Sequence, residues 1–355
     1  MDLNLIELVF KFGNVFALTP SSIADRKPTN FQHFHTFLVV ALYLAAYCAT
    51  VYNTWPIFRT LTTIQFVLAI LGSLAACIHD LYIILTIRVH KRDRLFKLVD
   101  NLKLVSRIGN ATKSYYVIFL VSQVAVCLFG TFGIYIYSSF FTVTTFILNV
   151  FSSLQLYFEV FVAVFRCILL DMILSRYQHQ NRVLVLTSRK KLPQSLLRYV
   201  KKIKYNFYVL NSTVEIFNKT FGVSVLLNMF CGTFDALITL DFVIKSDSNS
   251  TINLLHVIYQ MSGWITLWVG IVATILMCDA VLSEIDKTLL LVYKLQSVIA
   301  DLMPYENNEV YSLIQMILHT RPEFKAARFF SIKRSTLFSI LYSMTTFFLV
   351  MLQLK

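Results

Sequence analysis

Seven long apolar stretches alternate with polar, mostly basic segments along this chain, at about 31–53, 61–87, 114–138, 141–170, 220–244, 252–278 and 334–353. A helix rises 1.5 Å per residue, so roughly 20 residues cross a hydrocarbon layer about 30 Å thick. The pattern predicts an all-α membrane protein with seven transmembrane helices, organised as a single domain over 1–355. The last stretch is the least uniform. Thr336, Ser339, Ser343, Thr346, Val350 and Gln353 recur at steps of three or four and share one helix face, while Leu, Ile, Phe and Met occupy the others. Lipid cannot satisfy hydroxyls and an amide, so such a stripe must meet water or another helix. It reads either as a small-residue packing seam or as the lining of a water-filled path with Gln353 at its mouth.

Shorter patterns fill the gaps. Leu5, Leu8, Val9 and Phe12 share a face, which predicts a short amphipathic helix at the inner membrane surface. Asp2 and Glu7 precede Lys11, Arg26 and Lys27, the wrong polarity for a cleaved signal peptide. Trp55 to Arg59, with Pro56, reads as a tight turn carrying an interfacial Trp. The apolar rhythm from Leu95 to Ile108 suggests that the second and third helices run on beyond the membrane. Val281, Ile285, Thr288, Leu289, Val292 and Leu295 mark another amphipathic helix after the sixth span.

Composition supports the membrane class. The chain is 57% hydrophobic and only 14% charged, where a soluble domain carries about a quarter charged residues. Only 9 Gly and 6 Pro argue against a transporter built from broken helices. The net charge of +13 would suit a nucleic-acid partner, but its distribution points elsewhere. Apart from Arg59, Arg166, Lys245 and Lys355, every Lys and Arg falls in segments on one side of the alternating spans. Basic residues beside spans fit contact with anionic membrane lipids, with no nucleic acid involved. The positive-inside rule then places the N-terminus in the cytoplasm and the C-terminus outside, with helices extended into the cytoplasm. A G-protein-coupled receptor has the opposite orientation, and its acidic-Arg-Tyr and Asn-Pro-x-x-Tyr patterns are missing. Of the glycosylation sequons at Asn110, Asn211, Asn218 and Asn249, only Asn249 falls outside, in a very short turn.

No enzyme signature is present, and nothing calls for a cofactor. The six cysteines, Cys48, Cys77, Cys127, Cys167, Cys231 and Cys278, sit in or beside apolar runs with no Cys-x-x-Cys pair. They read as buried small hydrophobes, with neither disulfides nor a metal site expected. The seven histidines show no metal-ligand spacing. Charges inside spans are few and costly. Glu159 and Arg166 lie two turns apart on one face of the fourth span, either as a shared buried network or as a structural clamp; His79-Asp80 in the second span is similar. The outer loops are too short for a binding domain, so an external ligand must enter among the outer halves of the helices. The candidates facing it are Asn149 and Ser152 in the fourth span, Asp235 and Thr239 in the fifth, and Tyr259, Gln260, Trp264 and Trp268 in the sixth. Gln260, Trp264 and Trp268 stack at i, i+4 and i+8, an aromatic platform with an amide donor; ordinary packing would explain the same residues.

Three segments carry a family resemblance. Thr346-Phe347, five apolar residues and Gln353-Leu354 resemble the C-terminal signature of insect gustatory receptors, which has Thr-Tyr, five hydrophobic residues and Gln-Phe. Phe347 and Leu354 depart from it. The run from Phe329 to Leu337 resembles the family's approach to its last helix, and Cys278-Asp279 through Glu284-Ile285-Asp286-Lys287-Thr288 its segment after the sixth span. The resemblance implies a plasma-membrane, ligand-gated cation channel opened by a small-molecule tastant. It also implies a homo-tetramer, or a hetero-tetramer with related receptors, around one pore. The ligand-binding helices would then cover about 31–278, a cytoplasmic anchor 279–333 and the pore helix 334–354, with Gln353 and Leu354 as gate above Val350 and Thr346. The family's sugar-receptor branch carries a Glu where Phe348 stands, which implies a bitter or other non-sugar ligand.

Overall fold

The computed structural model describes residues 2–59, 63–105, 112–140, 143–189, 193–245, 251–300 and 304–353. Its order is α1 (Asp2–Val15), α2 (Asn30–Phe58), α3 (Thr63–Leu85) with a π-helical turn (Thr86–His90), α4 (Arg92–Leu104), α5 (Thr112–Phe140), α6 (Val143–Arg189), α7 (Pro193–Lys245), α8 (Thr251–Ala300), α9 (Pro304–His319), a hairpin of β1 (Lys325–Ala326) and β2 (Phe330–Ser331), and α10 (Arg334–Gln353). The seven expected spans fall on α2, α3, α5, α6, α7, α8 and α10. Over the described residues, five stretches within these helices are long and apolar enough to cross a membrane by length and composition alone: Asn30–Pro56, Gln65–His90, Tyr116–Ile136, Arg198–Leu240 and Val257–Ser297.

The extension out of the bilayer is carried by different helices from those the apolar rhythm suggested. Helices α6, α7 and α8 are 47, 53 and 50 residues long, each about 70–80 Å at 1.5 Å per residue, so more than half of each lies beyond a 30 Å layer. The second span does not run on. After the π-helical turn, Lys91 has φ −111° and ψ 16°, which breaks the helix. The rhythm near Leu95 belongs to the separate helix α4, which buries Leu95, Phe96, Leu98, Val99 and Leu102 and packs against α7. The rhythm after the sixth span is the continuation of α8, and Val281, Ile285, Thr288, Val292 and Leu295 are all buried.

Two local expectations also change. α2 continues through Pro56 to Phe58 rather than turning at Trp55; so near a helix end, the missing proline N–H costs only one late hydrogen bond. α1 is helical, but most of its apolar side is turned into the protein, with Leu8 half-buried and Phe12 exposed. Leu5, Ile6, Val9 and Phe10 are fully buried in the protein. The Phe10 ring meets Phe96 of α4 and Phe165 of α6 edge to face at 6.3 and 6.1 Å.

At the basic end of the bundle, polar contacts tie the extensions together. Asn181 of α6 donates to the Glu284 backbone oxygen (2.9 Å) and carboxylate (2.7 Å) of α8 and accepts from the Thr288 hydroxyl (2.7 Å). Lys204 of α7 donates to Ser312 of α9 at 2.7 Å. The hairpin sits on α7. In its three-residue connection, 327–329, Ala327 and Arg328 take φ 50° and 68°, a left-handed geometry that a tight hairpin demands even of residues that resist it. Gly222 makes room for it, since a Cβ there would lie 2.7 Å from the Lys325 carbonyl oxygen. Asn218 clamps the same segment, donating to Glu323 O at 2.6 Å and accepting from Lys325 N at 3.2 Å.

Candidate functional site

The last helix is the barest element of the fold. Leu337 and Ile340 pack on the core and Met344 is buried, while Phe338, Tyr342, Leu349 and Val350 are exposed. At 3.6 residues per turn, Leu337, Ile340, Leu341 and Met344 form one face, and the polar stripe lies roughly opposite it. The stripe does not seam α10 to a neighbour within the chain. Ser339, Ser343 and Thr346 each donate to the backbone four residues back, at Ser335, Ser339 and Tyr342 (3.1, 2.9 and 3.0 Å). Thr336 closes the helix start, donating to Ser331 O at 2.8 Å and accepting from Lys333 N at 3.3 Å. Such back-bonding satisfies a hydroxyl without any partner helix. Thr346, Val350 and Gln353 are exposed, and Leu354 lies outside the described residues. The foot of α10 is anchored: Arg334 Nε is 2.7 Å from Asp279 Oδ2 of α8. That ion pair joins two of the segments that carry the family resemblance, and sequence spacing alone could not pair them.

The candidate ligand residues do not form one group. Tyr259 is buried and stacks on Phe129 at 4.5 Å, its hydroxyl 3.2 Å from Ser153 Oγ. It fills the space left by Gly133, where a Cβ would lie 2.6 Å from the Tyr259 oxygen. Trp264 and Trp268 instead line an open groove of about 460 Å³ shared with Leu341 of α10. The Trp268 indole donates to Gly232 O of α7 at 3.1 Å; the buried Trp264 indole nitrogen has no partner among the described residues. Thr239 is buried and Asp235 half-buried on α7. Ser152 and Gln260 are exposed. The Asn149 side chain and Asn249 fall outside what the structure describes. A second cavity of about 410 Å³ runs between α5, α6, α7 and α8, walled by Val126, Ala163, Leu267, Gly270 and Ala273, with Ser122, Glu159, Asn228 and Thr266 among its polar points.

Glu159 and Arg166 do belong to one buried network, though they do not touch. Arg166 Nη1 lies 3.5 Å from Ser224 Oγ of α7 and His79 Nε2 of α3 lies 3.3 Å from the same oxygen. The other ring nitrogen of His79 is 3.4 Å from Asp80 Oδ1 and 3.9 Å from Glu159 Oε1. Asp80 Oδ2 accepts from the Tyr43 hydroxyl of α2 at 2.8 Å, and that oxygen accepts from Gln155 Nε2 at 3.0 Å. Side chains from α2, α3, α6 and α7 thus meet at one polar centre inside an apolar bundle.

This architecture has solved relatives. The insect olfactory receptor OR5 from Machilis hrabei is similar over the whole length: TM-score 0.73 at 14% identity, covering 99% of this chain and 98% of that one. The same receptor in complex with eugenol gives a TM-score of 0.70 at 14% identity, covering 100% of both chains. At that identity the likeness shows the seven-transmembrane fold alone. No curated protein sequence matches. The family model for the 7tm chemosensory receptor, however, matches residues 6–355, and the chain therefore belongs to that family.

Proposed function

We propose that this chemosensory receptor is of the gustatory type and works as a ligand-gated, non-selective cation channel for a non-sugar, bitter-type tastant. One observation carries the reading: α10 turns its polar stripe away from the rest of its own chain and satisfies the hydroxyls on its own backbone. A spanning helix with an exposed polar face needs water or further copies beside it. Four such helices around an axis, from one receptor or from related ones, supply both. Thr346 and Val350 then line the path, and Gln353 with Leu354 closes it by a ring of apolar side chains that excludes water. The gustatory assignment rests on the C-terminal motif from Thr346 to Leu354, and the non-sugar assignment on Phe348.

Ligand is held toward the outer ends of α6, α7 and α8, by Asn149, Ser152, Asp235, Thr239, Tyr259, Gln260, Trp264 and Trp268. The aromatic members support this most directly, since Trp264 and Trp268 share their groove with Leu341. A small planar molecule there would contact α8 and α10 together. It favours the open state only as far as it binds that state more tightly. The basic end of the bundle faces the cytoplasm, which puts Gln353 at the outer surface.

Recording from cells that express the chain tests this. Gln353→Ala should change single-channel conductance or basal opening while surface expression holds. Unchanged channels at unchanged expression would remove Gln353 from the path. A response that needs a G protein would move the chain to the receptor class without a pore. An epitope after Lys355 should label on intact cells.

A further inference from the structure

We propose that His79 Nδ1, Asp80 and Glu159 form a binding site for a divalent first-row transition ion, zinc fitting best, which joins α3 to α6 inside the bundle. His79 and Asp80 are fully buried and Glu159 is 4% exposed. One ligand atom from each lies within 4.8 Å of the others. The tautomer matters. With Nε2–H donating to Ser224 Oγ at 3.3 Å, Nδ1 keeps its lone pair and aims it at two carboxylate oxygens. Nδ1 and Asp80 Oδ1 have no hydrogen-bond partner among the described residues. Three lone-pair-bearing atoms that converge away from water require a positive species between them.

The spacing suits a small ion. Zinc takes nitrogen and oxygen at about 2.0–2.2 Å, so tetrahedral ligands stand about 3.4–3.5 Å apart. The two separations from His79 Nδ1, 3.4 and 3.9 Å, need only a few tenths of adjustment, and the ligand atoms of the two carboxylates lie within 4.8 Å of each other. Calcium wants six to eight oxygens, more than three side chains supply. One imidazole and two carboxylates instead suit zinc and its neighbours and leave a fourth position open.

The surroundings are those of a supported site. Ser224 orients the imidazole from behind, and the Tyr43 hydroxyl, itself held by Gln155, orients Asp80. Partners of this kind set ligand direction and basicity. Glu159 also lines the 410 Å³ cavity between α5, α6, α7 and α8.

The test uses the purified full-length receptor in lipid nanodiscs, with zinc as the probe. Wild type should bind about one zinc per chain, and zinc should raise its melting temperature, reversibly on chelation. Glu159→Gln and Asp80→Asn keep side-chain volume, and each should weaken zinc binding at least about tenfold. His35→Gln, outside the cluster, should not. Full zinc occupancy in both cluster variants overturns the site. So does a wild type that holds no stoichiometric zinc and shows no shift in melting, because protons would then be what occupies the centre. If the variants fail to fold, the wild-type melting shift alone decides.

Discussion

Helices α6 and α10 are each long enough to cross a bilayer, and both carry polar residues within apolar surroundings, yet the protein treats them oppositely. On α6, Phe158, Phe161, Val162, Phe165 and Leu169 are buried, as are Glu159 and Arg166 between them. Its polar groups meet side chains from α3 and α7 inside the chain. On α10, Phe338 is 69% and Tyr342 75% exposed, and the hydroxyls fold back onto their own helix. A polar group with a partner across helices fixes the fold. A polar group that needs none leaves its face free for what the chain does next.

The comparison breaks most visibly at the buried centre. Arg166→Leu strands Glu159 and its neighbours without their one guanidinium; removing a partner from a buried charge network costs about 3–5 kcal/mol. The expected result is a large loss of monodisperse receptor on size exclusion and a lowered melting temperature. A variant as stable as wild type would show that the centre is not held by charge. The hairpin that delivers the chain into α10 should be next. Gly222→Ala drives a Cβ against backbone at Lys325 and Ala327, so a cost of about 1–3 kcal/mol is expected from overpacking, read in the same melt. The smallest effect sharpens the contrast. Ser343→Ala on α10 should change stability by no more than about 0.5 kcal/mol, while altering single-channel current if its face lines the path. A folding defect as large as that of Arg166→Leu would make α10 a structural helix like α6.

Several features could be read from residues alone because they are local. Helix existence follows from period and length, so all seven spans, and the buried positions from Val281 to Leu295, appear where the pattern put them. The two-turn spacing of Glu159 and Arg166 placed them on one side of one helix. Other readings failed where a local pattern has two geometric outcomes. The rhythm near Leu95 cannot say whether a helix continues or breaks at Lys91. The apolar face near Leu5 cannot tell a membrane surface from a protein interior. Gln260, Trp264 and Trp268 share a face in sequence, but spacing could not name what that face meets: Trp264 and Trp268 border a groove with Leu341 of α10.

The amino-acid sequence by itself determined that this is a bundle of seven apolar helices with its basic residues gathered at one end, because hydrophobic length and charge asymmetry are sums along the chain. Tertiary structure alone decided that His79 and Asp80 of α3 face Glu159 of α6, that Asp279 anchors Arg334, and that α10 turns its polar stripe outward. Those pairings depend on which helices neighbour one another and how each is rotated, and helical periodicity specifies a face without specifying what it meets.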